Sequence, residues 1–165
     1  MDNFYEQLIT ISKSFQYKAV EILTYIFGAL GILIIGSGRI TLSIFFIILA
    51  AAAFYFKRYL YIEYEYEFTN GDIDIDEIFA MSKRNTAISF NIREVEILAP
   101  ENSEYLKEIA NLPKQELNLY PKELKNKVYT AVIKQGAQRV KVNFIPDEEF
   151  VDLCYKYNPR SVKRS

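Results

Sequence analysis

The chain has no histidine, no tryptophan and a single cysteine, Cys154. Without histidine there is no imidazole general base, no Ser-His or Cys-His nucleophile pair and no His-ligated zinc. With one cysteine there is no intramolecular disulfide and no multi-cysteine metal site, which suits a reducing compartment. An excess of charge is also missing. The net charge is −1, and from Tyr59 onward 15 Lys and Arg stand against 18 Asp and Glu, a balance of −3. Such a surface is no general electrostatic ligand for nucleic acid or for an anionic membrane.

What the chain does have is two long stretches without charge. Ile22 to Gly38 and Ile40 to Phe56 are each 17 residues long and are separated by Arg39 alone. At about 1.5 Å rise per residue each covers roughly 26 Å, a little short of a ~30 Å hydrocarbon core. Their flanks extend that reach: Tyr17, Tyr25, Tyr55 and Tyr59 suit the headgroup level, Lys57 and Arg58 can snorkel, and Lys18 can pair with Glu21. Ser37-Gly38 is a turn signal that allows only an antiparallel hairpin. A buried hairpin in a soluble core is the alternative, but neither run has a polar stripe and the rest of the chain has too little apolar surface to wrap two such helices. A cleaved signal peptide fits less well, since about 20 residues precede the first run and a second follows at once. Lys13, Lys18, Lys57 and Arg58 flank the outer ends, which places both termini in the cytosol by the positive-inside bias. Antiparallel pairing sets residue i opposite roughly 78 minus i, so Gly28 is expected to meet Ala50 across a small-residue contact, the alternative being that Ala50 to Ala53 is simply a good helix former.

Half the residues are apolar and 15% aromatic, with 13 Tyr and 12 Phe. That composition suits packed β structure. Ahead of the hairpin, Phe4, Leu8, Ile11 and Phe15 recur at helical spacing with Asn3 and Glu6 placed as N-cap and partner, so residues 1–17 read as an interfacial amphipathic helix or an extension of the first span. Residues 18–58 are the hairpin and 59–165 the cytosolic domain, with no linker between them. Ile62, Tyr64, Tyr66 and Phe68 alternate with Glu63, Glu65 and Glu67 as a strand with one wet face. Asn70-Gly71 turns it into a returning strand carrying Ile73, Ile75 and Ile78. Further strands are expected over 86–92 and 95–98. Ser103 is expected to cap a short helix with Leu106, Ile109 and Ala110, and Leu117 and Leu119 a short edge strand. Residues 128–134 and 138–144 form a second hairpin with Val140, Val142 and Phe144 inward and Arg139, Lys141 and Asn143 outward. A closing helix follows Pro146, its first turn loaded with Asp147, Glu148 and Glu149 and its stripe made of Phe150, Leu153, Cys154 and Tyr157. Arg160, Lys163 and Arg164 then form a basic tail.

The abrupt junction Lys57-Arg58-Tyr59, the Asn70-Gly71 hairpin and the closing stretch from Phe144 through Asn158-Pro159 give the chain its likeness. It resembles small bacterial two-helix membrane proteins carrying a pleckstrin-homology-like domain. The resemblance implies an α+β fold: an N-terminal transmembrane hairpin, then a small β-barrel or sandwich closed by a C-terminal helix. It carries over no functional residues, because fold alone does not give function.

Candidate sites are few. Asp72, Asp74 and Asp76 have the first three spacings of a calcium loop, but Glu77 stands where Gly is needed and Lys83 where a bidentate Glu is needed, so no metal or cofactor is expected. Glu63, Glu65, Glu67, Asp72, Asp74, Asp76 and Glu77 are expected to converge on one hairpin face, either a solvated surface or a contact for a cationic partner. Lys83, Arg84 and Asn85 form an expected loop tip, whose two cations are either plain surface or a contact for a lipid headgroup. Cys154 reads as a small core residue. The functional expectation is a non-catalytic, multi-pass scaffold of the cytoplasmic membrane with a protein partner and no nucleic acid. The alternatives are a lipid-headgroup-binding module or an enzyme acting on a lipid or envelope precursor.

Overall fold

The computed structural model describes residues 3–107, 109, 113–136 and 138–164. The chain divides into two compact units. One is made of Met1–Ile11, Glu63–Ile78 and Arg84–Ser165, the other of Ser12–Ile62 and Phe79–Lys83.

The second unit contains the two uncharged stretches. Helix α1 runs Phe15–Ile35 and α2 Ile40–Phe56, with a 3-10 turn over Lys57–Leu60. Ser14 caps α1 by accepting from the Tyr17 N–H, so the helix begins seven residues before the uncharged run and takes in Lys18 and Glu21. Both apolar stretches, Phe15–Ile35 and Ile40–Leu60, are 21 residues long and apolar enough to cross a membrane. Their large side chains face outward: Ile32 is 69% and Leu33 73% exposed. Where the helices approach most closely the contact is made by a small and a polar residue. Ser43, 1% exposed, donates to the Gly31 carbonyl at 2.6 Å, and a Cβ on Gly31 would come within 2.8 Å of Ile47 Cγ1. Phe27 and Phe46 sit ring to ring at 6.1 Å, and Lys57 pairs with Glu21 at 3.4 Å. The close approach is therefore at Gly31, not Gly28, around which a Cβ would meet nothing within 4 Å. One helical turn separates the two glycines, and only Gly31 faces the partner helix.

The first unit holds two four-stranded sheets and the closing helix. Strands β1 (Phe4–Ile9), β2 (Ile62–Thr69), β3 (Asp72–Phe79) and β4 (Lys83–Asn91) lie in that order. Strands β5 (Ile97–Pro100), β6 (Glu116–Asn118), β7 (Tyr129–Gln135) and β8 (Gln138–Phe144) form the second sheet in the order β5-β7-β8-β6. The described strands make two sheets and no closed barrel. Asn70 and Gly71 both have positive φ, 54° and 107°, as a two-residue turn between β2 and β3 demands.

The N-terminal segment corrects the expectation most. Residues 4–9 are a strand, antiparallel to β2 with Tyr5 opposite Phe68 and Gln7 opposite Tyr66. Tyr5, Gln7 and Ile9 alternate toward the core face. Phe4, Leu8 and Ile11 fit a helical period equally well, but an isolated turn of helix gains little here. A strand instead satisfies its backbone along β2 and places polar side chains on partners. Tyr5 Oη donates to Asp147 at 2.6 Å, Gln7 Nε2 donates to the Ile145 carbonyl at 3.2 Å, and the Asp147 N–H donates back to Gln7 Oε1 at 2.9 Å.

The core is aromatic. Phe150 of α4 (Glu148–Tyr157) meets Tyr5 at 6.3 Å, Tyr66 at 6.3 Å, Phe68 at 6.0 Å and Phe144 at 6.1 Å, all edge to face. Asp147 caps the helix by accepting from the Phe150 N–H at 2.9 Å. Val151 is buried beside Phe150 and Cys154, while Leu153 and Tyr157 are only half-buried, so the stripe is rotated slightly from the expected one. Asn143, expected to point outward, is buried: its Oδ1 accepts from Thr130, and its Nδ2 donates to Glu116 and Asn118 beneath β6. Short helix α3 covers Glu104–Lys107 and buries Leu106. Its backbone turn forms without a Ser103 side-chain cap, since the Ser103 hydroxyl has no hydrogen-bond partner; Ala110 lies outside the described residues. The basic tail is pinned rather than loose. Ser161 and Lys163 exchange backbone bonds with Leu98 of β5 at 2.9 and 2.7 Å, covering that edge of the second sheet.

Candidate functional site

The acidic residues of β2 and β3 were the leading candidates, and the structure separates them. Asp72 is exposed, and Glu67, Asp74 and Glu77 are half-buried, whereas Glu63, Glu65 and Asp76 are buried. The strand thus has no single wet face. The physical reason is the neighbouring strands: β1 covers one side of β2, so side chains that alternate away from the core still lie beneath their neighbours.

Within that face an ion cluster spans three strands. Arg84 of β4 pairs with Glu65 of β2, and its Nε lies 3.6 Å from Asp76 of β3. Glu65 is 5% exposed. Burial, reinforced by a hydrogen bond with Glu6 and repulsion from Glu6 and Asp76, pushes its carboxyl above the ordinary carboxylate range even though Arg84 pulls the other way. Glu77 is likewise pushed up by burial. This cluster has the makings of a structural clamp rather than an open site. Sequence reasoning missed Glu6, because a helical N-terminus gave it no place beside Glu65.

Arg84 is therefore not part of an exposed loop tip. It and Lys83 begin strand β4, and the turn itself is Ala80-Met81-Ser82, with Ala80 and Met81 at positive φ of 49° and 58°. Lys83 is exposed, with no carboxylate within ion-pair distance among the described residues.

Two shallow depressions lie on the first unit. One is lined by Lys127, Tyr129, Asp147, Glu148 and Arg164, the other by Tyr105, Tyr155, Lys163 and Arg164. Their cations are already engaged: Arg164 pairs with Asp152 at 3.1 Å and stacks on Tyr155 at 3.9 Å, and Lys127 and Lys163 donate to the carbonyls of Arg164 and Arg160. Cys154 is fully buried and burial pushes its thiol up, which leaves no accessible thiolate. Among the described residues no group of three or more His, Cys, Asp or Glu side chains is placed to hold a metal.

A two-sheet unit closed by one C-terminal helix, in the same chain as a hairpin of apolar helices, defines a pleckstrin-homology-like class of protein. The family model described as Bacterial PH-like domain (DUF6106) matches residues 1–164. The chain belongs to that family. No curated protein and no solved structure matches it.

Proposed function

We propose that this protein is a non-catalytic interaction module anchored in the cytoplasmic membrane by its helical hairpin, with both termini in the cytosol. The observation that carries the reading is the inverted hairpin, with large apolar side chains outside and Gly31 and Ser43 between the helices. Packing of that kind suits lipid, where apolar surface has no reason to turn inward and small residues let backbones approach. The basic residues Lys13, Lys18, Lys57 and Arg58 at one end of the hairpin, against Arg39 alone at the other, support the orientation. The sheet unit then offers its partner the accessible part of the acidic face. Glu6, Glu67, Asp72 and Asp74 remain reachable there, beside the exposed Phe4 and Leu8 of the edge strand. A basic protein segment with apolar side chains fits that mixture. The lack of histidine and the burial of Cys154 support the non-catalytic part of the reading.

Two experiments test it on the full chain. Reporter fusions at the C-terminus and labelling of Ser37→Cys are expected to place the two on opposite sides of the membrane; a C-terminus outside the cytosol overturns the orientation. In-cell photocrosslinking from positions 67 and 74 is expected to give one defined protein adduct that Glu67→Lys with Asp74→Lys abolishes. Turnover of a lipid substrate lost on changing a single carboxylate would replace the module by an enzyme.

A further inference from the structure

The hairpin's own compact unit includes a piece of the sheet-bearing chain, the turn Phe79–Lys83. It is held there by the Ala80 N–H donating to the Tyr61 carbonyl at 2.9 Å and by Phe79 packing edge to face on Tyr59 at 5.9 Å. At the same end, the Arg58 guanidinium lies 3.7 Å from the Tyr55 ring centre and 5.0 Å from that of Tyr59, and donates to Tyr59 Oη at 3.0 Å. The Lys83 ammonium is close enough to act electrostatically on Tyr59. Met81, two residues before Lys83 in the same turn, is 68% exposed.

The cations of this region fall into two groups. Lys57 is satisfied by Glu21 and covers Phe54, and Arg84 is satisfied by Glu65 and Asp76. Arg58 and Lys83 have no carboxylate partner among the described residues. Two uncompensated cations beside one tyrosine, one of them a guanidinium already fixed between rings, repel each other unless an anion joins them. The fixed guanidinium keeps hydrogen-bond donors available in the fork geometry that suits phosphate, and little side-chain freedom is left to lose on binding. An exposed methionine in the turn that carries Lys83 is what an acyl chain, rather than a soluble anion, would meet.

We propose that Arg58, Tyr55 and Tyr59, together with Lys83 and Met81 of the adjoining turn, form a binding site for the phosphate of an anionic phospholipid. The proposal rests on the membrane reading of the hairpin. Arg58 supplies the directed donors, Lys83 the second charge and Met81 the contact with the upper acyl region. Arg84, its neighbour in sequence, takes no part because its charge is spent on the sheet.

The test uses the full chain in nanodiscs of phosphatidylcholine doped with phosphatidylglycerol, with retained lipid counted by native mass spectrometry. The wild type is expected to retain phosphatidylglycerol over phosphatidylcholine, and Arg58→Gln with Lys83→Gln to lower that preference about tenfold. Lys57→Gln is expected to leave it unchanged, and Arg58→Lys to fall between. An unchanged preference in the double variant overturns the site, and so does an equal loss in Lys57→Gln, which would mean general attraction only. Displacement of the lipid by millimolar glycerol phosphate, at an affinity equal to the lipid's, would assign the site to a soluble phosphate instead. Whether the chain enters the nanodiscs and resists carbonate extraction from cell membranes is read separately. Failure there sinks the membrane reading, whereas firm insertion with no lipid preference sinks the site alone.

Discussion

The two units of this chain solve opposite packing problems with similar amino acids. In the sheet unit Tyr66, Phe68, Phe144 and Phe150 are fully buried, and buried polar side chains such as Thr130 and Asn143 are hydrogen-bonded to each other. In the hairpin Leu33 and its neighbours are exposed, while a serine hydroxyl and a glycine occupy the contact between helices. Water drives the first arrangement, because removing aromatic surface from it is favourable by roughly 25 cal/mol per Å². In the second, on the proposed reading that acyl chains surround the hairpin, nothing would distinguish a leucine facing a helix from one facing lipid, so close backbone approach and the buried Ser43 hydrogen bond would decide the contact. The comparison teaches that hydrophobicity says where a residue can be, and the surrounding solvent says which side of the element it takes.

The largest test of that contrast is Phe150→Ala. It removes the ring on which four others converge and is expected to destabilise the sheet unit by about 3–5 kcal/mol while leaving the hairpin's helicity intact. Hydrogen exchange on the full chain in micelles checks both halves; equal loss of protection in α1 and α2 would mean that the units do not fold separately. Gly31→Leu should do the reverse, loosening the hairpin by about 1–3 kcal/mol because its first side-chain atom already collides with Ile47. Gly28→Ala is the matched control, expected to change little, and SDS titration followed by circular dichroism reads the difference.

Smaller effects sharpen the place of the first strand. Tyr5→Phe deletes the bond to Asp147, which raises the phenol to about 12 from 10.0, and is expected to cost about 1 kcal/mol of sheet-unit stability in denaturant. No change would mean that β1 is held by its backbone ladder alone. The smallest effect is a pH dependence. Because Glu65 has a raised pKa when folded, the folded state holds its proton more tightly than the unfolded chain does. Its contribution to stability is full below the ordinary carboxylate pKa and is lost as pH rises through the raised value. Denaturant midpoints measured from pH 4 to 8 should therefore fall less steeply for Glu65→Gln than for the wild type. Parallel curves would show that Arg84 compensates the charge fully.

The hairpin, the Asn70-Gly71 turn, the edge strand before Pro121 and the closing helix were legible in the sequence because each depends on a local pattern: a run without charge, a residue pair that tolerates positive φ, a period of two or of 3.6. The acidic face was legible only in part. Alternation placed Glu63, Glu65 and Glu67 on the side away from the core, but whether that side is wet depends on what lies over it. The same alternation put Asn143 outward, and β6, arriving from the loosest stretch of the chain, buried it.

The sequence by itself determined the two apolar helices, the turns and the amphipathic closing helix, because backbone stereochemistry and hydrophobic period act over a few residues. Only the tertiary structure decided that residues 4–9 are a strand, that Gly31 rather than Gly28 is the close contact, and that Arg84 is committed to Glu65 and Asp76 while Lys83 has no carboxylate partner among the described residues. Those outcomes depend on pairings between residues tens of positions apart. The identity of the neighbour, absent from any local pattern, sets whether a polar group is solvated, bonded or left to a ligand.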